Sequence, residues 1–242
     1  MPGTETSADV LERLRRAFAD AALETVFQPV VELASNDCIA YEALTRFPDE
    51  PSWTTRDWFA AATDAGVAAQ LELAAIASAL THLEDIPYGS ALAINVSAAV
   101  AVTDEFFELV APFANRLIIE LTEHEPIDDY ASLALGLQDL RDLGARIAID
   151  DVGAGFASMR HILRLGPDIV KLDLSLTQGL AHDAGARALT SALVEFADST
   201  GTVLAAEGIE TPAELELLRG LGVGHGQGYL LGRPSPLEVH LH

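Results

Sequence analysis

The sequence predicts an α/β protein: a (β/α)8 TIM-like barrel in which one strand near the N-terminus runs antiparallel to the others. Three observations predict it. Short apolar runs of strand length alternate with alanine- and leucine-rich helical stretches, the rhythm of a parallel sheet covered by helices. Six such runs follow an early extended pair, which makes about eight strands. The length of 242 residues is what a single barrel commonly uses, about 250.

Taken in order, residues 7–24 read as a helix, because Val10, Leu11, Leu14, Phe18 and Ala21 recur at helical spacing after a polar start. Segments 25–33 (TVFQPVVEL) and 38–47 (CIAYEALTRF) read as extended. Ser35, Asn36 and Asp37 between them are turn residues, so the pair reads as a hairpin and supplies the antiparallel strand. Helices are expected over 54–65 and 67–83, separated by Gly66. Strands are then expected at 91–96, 116–121, 146–149, 169–172, 203–206 and near 228–231. Helices over 129–143, 184–199 and 212–221 lie between them. With no linker and no low-complexity run, one domain over 1–242 is the economical reading.

The chain carries 37 acidic and 14 basic side chains, a formal net charge of −23. That balance argues against nonspecific binding to nucleic acid or to an anionic membrane, which need clustered Lys and Arg. It leaves room for cations, or for an anionic substrate bridged by cations. The lone Cys38 excludes an internal disulfide and points to a reducing compartment. The longest apolar stretch, 91–102, is interrupted by Asn95 and Ser97 and is shorter than the roughly 20 residues that span a bilayer. The opening MPGTETSADV has no basic region followed by an apolar one. A cytoplasmic protein, or a domain of one, is expected.

The polar residues fall at strand ends. Glu42 lies inside CIAYEAL, Asn95 closes LAIN, Glu120 closes RLIIE, and Asp150 and Asp151 close RIAIDD. Lys171 follows PDIV, Glu207 follows VLAA, and Gln227 stands beside the last strand. In a barrel the C-terminal strand ends converge on one mouth, where active sites lie. Taken singly, each residue has a plainer reading. Either aspartate would cap the helix starting near Phe156, Lys171 would pair with Asp173, and Asn95 would serve a turn. Together they would crowd carboxylates that repel one another unless a counter-charge is present. An oxygen-only donor set suits Mg²⁺, Mn²⁺ or Ca²⁺ rather than zinc. The adjacent Asp150 and Asp151 suit two ions, and ions about 3.5–4 Å apart are a common device for phosphodiester hydrolysis. Lys171 could then hold water and offset phosphate charge. The seven histidines show no ligand spacing; His225 alone stands near the site, by its place beside Gln227. No Gly-x-Ser-x-Gly elbow occurs, which argues against an acyl-transfer hydrolase.

Several of these stretches, in this order, resemble the EAL domain, the family of bacterial cyclic di-GMP phosphodiesterases. They are Glu42-Ala43-Leu44 followed by Thr45 and Arg46, Ile94-Asn95-Val96-Ser97, Glu120-Leu121-Thr122-Glu123, Asp150-Asp151-Val152-Gly153-Ala154-Gly155, Lys171-Leu172-Asp173, Glu207-Gly208-Ile209-Glu210 and Gln227-Gly228-Tyr229. The resemblance is strongest over 25–236. It departs from the family pattern at Val152, Ala154, Phe156, Leu174, Leu176 and Gly224, none of them an implied ligand. The resemblance implies an (α/β)8 barrel with one antiparallel strand and hydrolysis of cyclic di-GMP to linear 5′-pGpG with two Mg²⁺ or Mn²⁺ ions, calcium being inhibitory. Glu42, Asn95, Glu120 and Asp150 would hold one ion, and Asp150, Asp151 and Glu207 the other. Lys171 would position the attacking water, supported by Gln227 and Glu42. Arg46, Gln28 and Leu44 would meet the substrate. Glu123, Glu210 and Asp173 would act from the surrounding loops. A homodimer is implied, with a sensor or cyclase domain outside this chain as a further partner. The alternative is a non-catalytic cyclic di-GMP receptor using the same pocket.

Overall fold

The computed structural model describes residues 13–14, 23–48, 53–122, 127, 129–152 and 156–241, without the side chains of residues 151 and 156–158. The strands are β1 (Glu24–Glu32), β2 (Cys38–Arg46), β3 (Ala91–Val96), β4 (Leu117–Leu121), β5 (Arg146–Val152), β6 (Ile169–Leu172), β7 (Val203–Ala206) and β8 (His225–Gly226). They pair in chain order and close into a barrel. β1 runs antiparallel to both of its neighbours, β2 and β8, and every other pairing is parallel. The expected barrel with one reversed strand near the N-terminus is therefore present. Its hairpin turns where expected, with Asn36 in the left-handed region at φ 67°, a conformation that asparagine tolerates better than most residues.

Helices α1 (Thr55–Asp64), α2 (Ala68–Leu80), α3 (Ala98–Ala101), α4 (Asp104–Val110), α5 (Tyr130–Asp142), α6 (Phe156–Leu165), α7 (Leu174–Thr177), α8 (Ala184–Thr200) and α9 (Pro212–Leu221) lie between the strands. Their ends follow from capping chemistry. Thr54 and Asp57 form a capping box at α1, and Thr211 and Glu214 another at α9. Asp129 and Asp183 cap α5 and α8. α2 ends three residues before the expected 83, and the short helices α3, α4 and α7 were not foreseen. The helix expected over 7–24 lies almost wholly outside the described residues. Leu14 is described there, and it is buried with Phe47, Trp58, Ala62 and Leu71.

One expectation is overturned. The last strand is His225–Gly226 rather than the apolar run near 228–231. After Gln227 the chain packs onto the backbone of Ile209, which donates its N–H to Gln227 O and accepts from Leu230 N–H. A Cβ at Gly228 would lie 2.2 Å from Ile209 N and O. The close approach turns the chain there, and Tyr229 to Leu231 leave the sheet.

The core has two parts. Val30, Ala40, Ala91, Ala93, Ile118, Ala148, Ile169 and Ala205 fill the inside of the barrel. Leu92, Ile94, Leu117, Ile119, Ile147, Ile149, Val170, Leu172 and Leu204 face outward and pack with helix residues such as Leu133, Leu137 and Leu193. Every strand is thus buried on both faces. This is why its sequence reads as a continuous apolar run rather than an alternating one. Alternate residues still point to opposite faces, and that parity builds the site.

Candidate active site at the barrel mouth

Apart from Asp151, each polar residue singled out at a strand end stands two places after an inward-facing residue. Ala40 precedes Glu42, Ala93 precedes Asn95, Ile118 precedes Glu120, Ala148 precedes Asp150, Ile169 precedes Lys171, Ala205 precedes Glu207, and His225 precedes Gln227. Period-two geometry therefore aims all seven into the mouth. β1 adds Gln28 from the opposite direction, in register with Glu42.

The side chains meet around one nitrogen. Lys171 Nζ lies 2.7 Å from Glu207 Oε1, 2.8 Å from Glu120 Oε2, 3.1 Å from Asp150 Oδ1 and 3.7 Å from Glu42 Oε2. Lys171, Glu120 and Glu42 are buried. Asn95 Nδ2 donates to Glu42 Oε1 at 2.9 Å, and Gln227 Nε2 donates to Glu42 Oε2 at 2.6 Å and to Gln28 Oε1 at 2.9 Å. The alternative pairing of Lys171 with Asp173 does not form. Asp173 instead caps α7, accepting from Ser175 N–H.

Four carboxylates share one ammonium, and the titration of the site reflects it. Burial works against the charged Lys171, but Asp150, Glu120, Glu42 and Glu207 outweigh it and hold its pKa well above the ordinary lysine value. Burial pushes Glu120 well above the usual carboxylate range; Lys171 opposes the shift, and Glu42 and Asp150 add to it. Glu207 is pushed up to about 8, again chiefly by burial, with Lys171 opposing and Asp150 and Glu42 adding. The excess negative charge is therefore balanced by protons or by added cations.

The residues fit hard divalent cations. The donors are all oxygens, carboxylates plus the Asn95 carboxamide, the set that magnesium and manganese prefer. Asp150 Oδ1 is buried and has no aligned hydrogen bond despite its nearness to Lys171. Among the described residues no three ligands are drawn into a closed cage; the oxygens are spaced around the ammonium.

Beside this cluster a groove of about 790 Å³ opens between the ends of β2 and β3 and helices α1 and α2. Leu44, Arg46, Phe59, Glu72, Asn95 and Thr122 are among its walls. Arg46 donates to its neighbour's carbonyl, Thr45 O, at 2.9 Å. Gln28, expected at the substrate, is buried, and both ends of its carboxamide meet protein: Nε2 donates to Gly232 O at 2.9 Å, and Oε1 accepts from Gln227. Glu210 is exposed after β7, its backbone N–H held by Glu214. Glu123, the side chain of Asp151 and the Gly153–Gly155 loop lie outside the described residues. Sequence reasoning passed over Glu72, which accepts from Ser97 N–H and lines the groove. Its signal was a lone carboxylate in the alanine-rich run AAQLELAAIASAL.

Comparison with known proteins agrees with this layout. Residues 11–234 match the EAL domain family. The chain is 30% identical over 242 residues to the probable cyclic di-GMP phosphodiesterase PdeB of Escherichia coli K12, covering 95% of this chain and 46% of PdeB. The PaMucR phosphodiesterase, solved as a c-di-GMP complex, superposes with a TM-score of 0.83 at 29% identity, covering 96% of this chain and 99% of that one. Klebsiella pneumoniae BlrP1, solved as a manganese and cyclic di-GMP complex, gives 0.79 at 27% identity over 90% of this chain and 57% of BlrP1. A calcium and cyclic di-GMP complex of BlrP1 is also similar. The chain spans between 28% and 46% of the length of the first curated relatives it matches. No helix among the described residues is long and apolar enough to cross a membrane. A closed barrel with one reversed strand, a ring of carboxylates around a buried lysine at its mouth, and a family match over nearly the whole length give one conclusion: the chain belongs to the EAL domain family.

Proposed function

We propose that this chain hydrolyses cyclic di-GMP to linear 5′-pGpG as a divalent-metal-dependent phosphodiesterase. The observation that carries the reading is the meeting of four carboxylates, three within strands and Glu207 just after β7, within 3.7 Å of the buried Lys171 nitrogen. One ammonium offsets one carboxylate, and a site built this way stores affinity for cations. Glu42, Asn95, Glu120 and Asp150 would hold one Mg²⁺ or Mn²⁺, and Asp150, Asp151 and Glu207 a second. Bound there, the ions supply Lewis acidity toward phosphoryl oxygens and lower the pKa of water.

The chain's own groups do the rest. Lys171 stays protonated and donates to the attacking water, and its charge offsets that developing on the phosphate. Water oxygen bonds to phosphorus as the bond from phosphorus to the ribose 3′ oxygen breaks; the water gives up one proton, and the departing 3′ oxygen takes one up and leaves as a hydroxyl. Gln227 fixes the Glu42 carboxylate through its 2.6 Å hydrogen bond, and Gln28 in turn fixes Gln227. Arg46, beside Leu44 on the groove wall, is the phosphate contact, a task suited to the planar donor fork of its guanidinium. Glu123, Glu210 and Asp173 act from the loops, as supports of ligand orientation. Calcium, larger and looser in geometry, would fill the site without supporting turnover. The unit is one barrel domain over 1–242, cytoplasmic and homodimeric, with any sensor or cyclase domain outside these residues.

The test incubates purified protein with cyclic di-GMP and Mg²⁺, Mn²⁺, Ca²⁺ or chelator and separates the products by chromatography. Linear pGpG formed only with Mg²⁺ or Mn²⁺ is the expected result. Calorimetric binding without product in any condition would replace the enzyme by a receptor using the same pocket. Neither binding nor product would overturn both readings.

A further inference from the structure

Below the catalytic cluster, inside the barrel, lies a small cavity of about 10 Å³. Ile118 and Ile169 belong to its apolar wall, Glu120, Lys171 and Glu207 of the cluster line it from above, and His225 in the last strand and Gln227 just after it line it as well. The two side chains are two residues apart on one strand direction, so they point to the same inner face. Each carries a polar atom that is sealed from solvent and has no hydrogen-bond partner among the described residues: His225 Nδ1 and Gln227 Oε1. Two orphaned buried polar atoms on one lining are costly to leave unpaired. The cavity matches the smallest space that holds one water, about 10–15 Å³.

We infer that a single internal water bridges His225 Nδ1 to Gln227 Oε1, and that His225 is a positioning residue for the Gln227 carboxamide. The water donates one proton to Gln227 Oε1 and pairs with Nδ1 through its other proton or its lone pair, according to the imidazole tautomer. The consequence runs through Gln227. Its Nε2 end already donates to Glu42 and Gln28. A carboxamide held at both ends cannot turn its oxygen toward the Glu42 carboxylate. His225 thereby steadies a proposed ligand from beneath, from a position outside the motifs that resemble the family. The kinetic consequence rests on the function proposed above; the structural one does not.

High-resolution crystal structures of the wild-type protein, His225→Leu and His225→Asn test this, alongside kinetics and thermal melts of the same three proteins. Expected is one ordered water within hydrogen-bond reach of both atoms in the wild type. In His225→Leu the water is lost and the Gln227 carboxamide rotates away from Glu42. Its kcat falls about tenfold, the usual scale for removing an outer support of a metal site, while KM and Tm hold. His225→Asn, which keeps a polar end, recovers most of kcat. A dry wild-type cavity, or an unmoved Gln227 with unchanged kcat in His225→Leu, overturns the inference. If the wild type itself makes no pGpG, the proposed function falls, and the crystallographic comparison alone decides the inference.

Discussion

Replacing Lys171 by methionine removes the cation that faces four carboxylates. Lys171 and Glu120 are nearly sealed from solvent, with side-chain exposures of 4% and 3%, and Glu42, at 8%, is close behind. Removing one partner of a buried ion pair costs about 3–5 kcal/mol, because the other charge is left uncompensated. For a chain of this size that is a fall in Tm of roughly 6–20 °C. The loss should be largest in chelator at pH 8 and above, where the carboxylates are driven to ionise. It should shrink at pH 6, where protons replace the ammonium: Glu207 titrates only near 8 and Glu120 well above its ordinary value. It should also shrink in saturating Mn²⁺, which takes over the neutralisation and binds the variant more tightly once the competing ammonium is gone. Urea denaturation of both proteins in chelator and in Mn²⁺, at two pH values, measures all three. The same variant should lose at least about a hundredfold in turnover, the lower end for removing one donor that stabilises developing charge, with substrate affinity nearly kept. A stability change within about 0.5 kcal/mol in chelator, the scale of a surface substitution, or a loss indifferent to Mn²⁺ and pH, would refute the charge argument.

Glu120→Gln mimics the protonated form that burial already favours, so the metal-free protein should be at least as stable as wild type by thermal melt, while calorimetry shows Mn²⁺ affinity falling at least about tenfold. For the metal-free wild type, the raised values of Glu207 and Glu120 mean that the folded state binds protons more tightly than the unfolded one. That contribution is complete below the ordinary carboxylate value and is lost as pH rises through about 8 for Glu207. The raised Lys171 keeps its contribution throughout that window. Stability in chelator should therefore decline from pH 5 to pH 8.5, and Mn²⁺ should flatten the decline; a rise in chelator would contradict it. Arg46→Ala should weaken substrate binding by roughly 10–100-fold, the value of a hydrogen bond to a charged group, with a smaller effect on kcat; steady-state kinetics separate the two.

Much of this protein was legible before any coordinates. The alternation of short apolar runs with helical stretches pointed to an α/β barrel, since continuous apolar strands separated by helices form a parallel sheet covered on its outer face. Ser35, Asn36 and Asp37 marked the reversing hairpin, because turn chemistry is local, and the helices expected over 54–65, 129–143, 184–199 and 212–221 lie within one residue of those bounds. Polar residues standing at the ends of otherwise apolar runs marked the site. What stayed hidden depends on contacts distant in sequence. Tyr229 to Leu231 read as a strand, and only the backbone of Ile209 against Gly228 turns them out of the sheet. The family resemblance put Gln28 at the substrate, and only the closure of β1 onto β8 commits it to Gln227 and Gly232. Lys171 could equally have paired with Asp173 two residues away. The strand instead ends at Leu172, Asp173 turns away to cap α7, and Lys171 is left among carboxylates 21 to 129 positions away in sequence. Sequence alone determined the residues, their types and their order along the strands. The tertiary structure decided which of them share one dry, charged volume, because burial and Coulomb energy depend on distance in space.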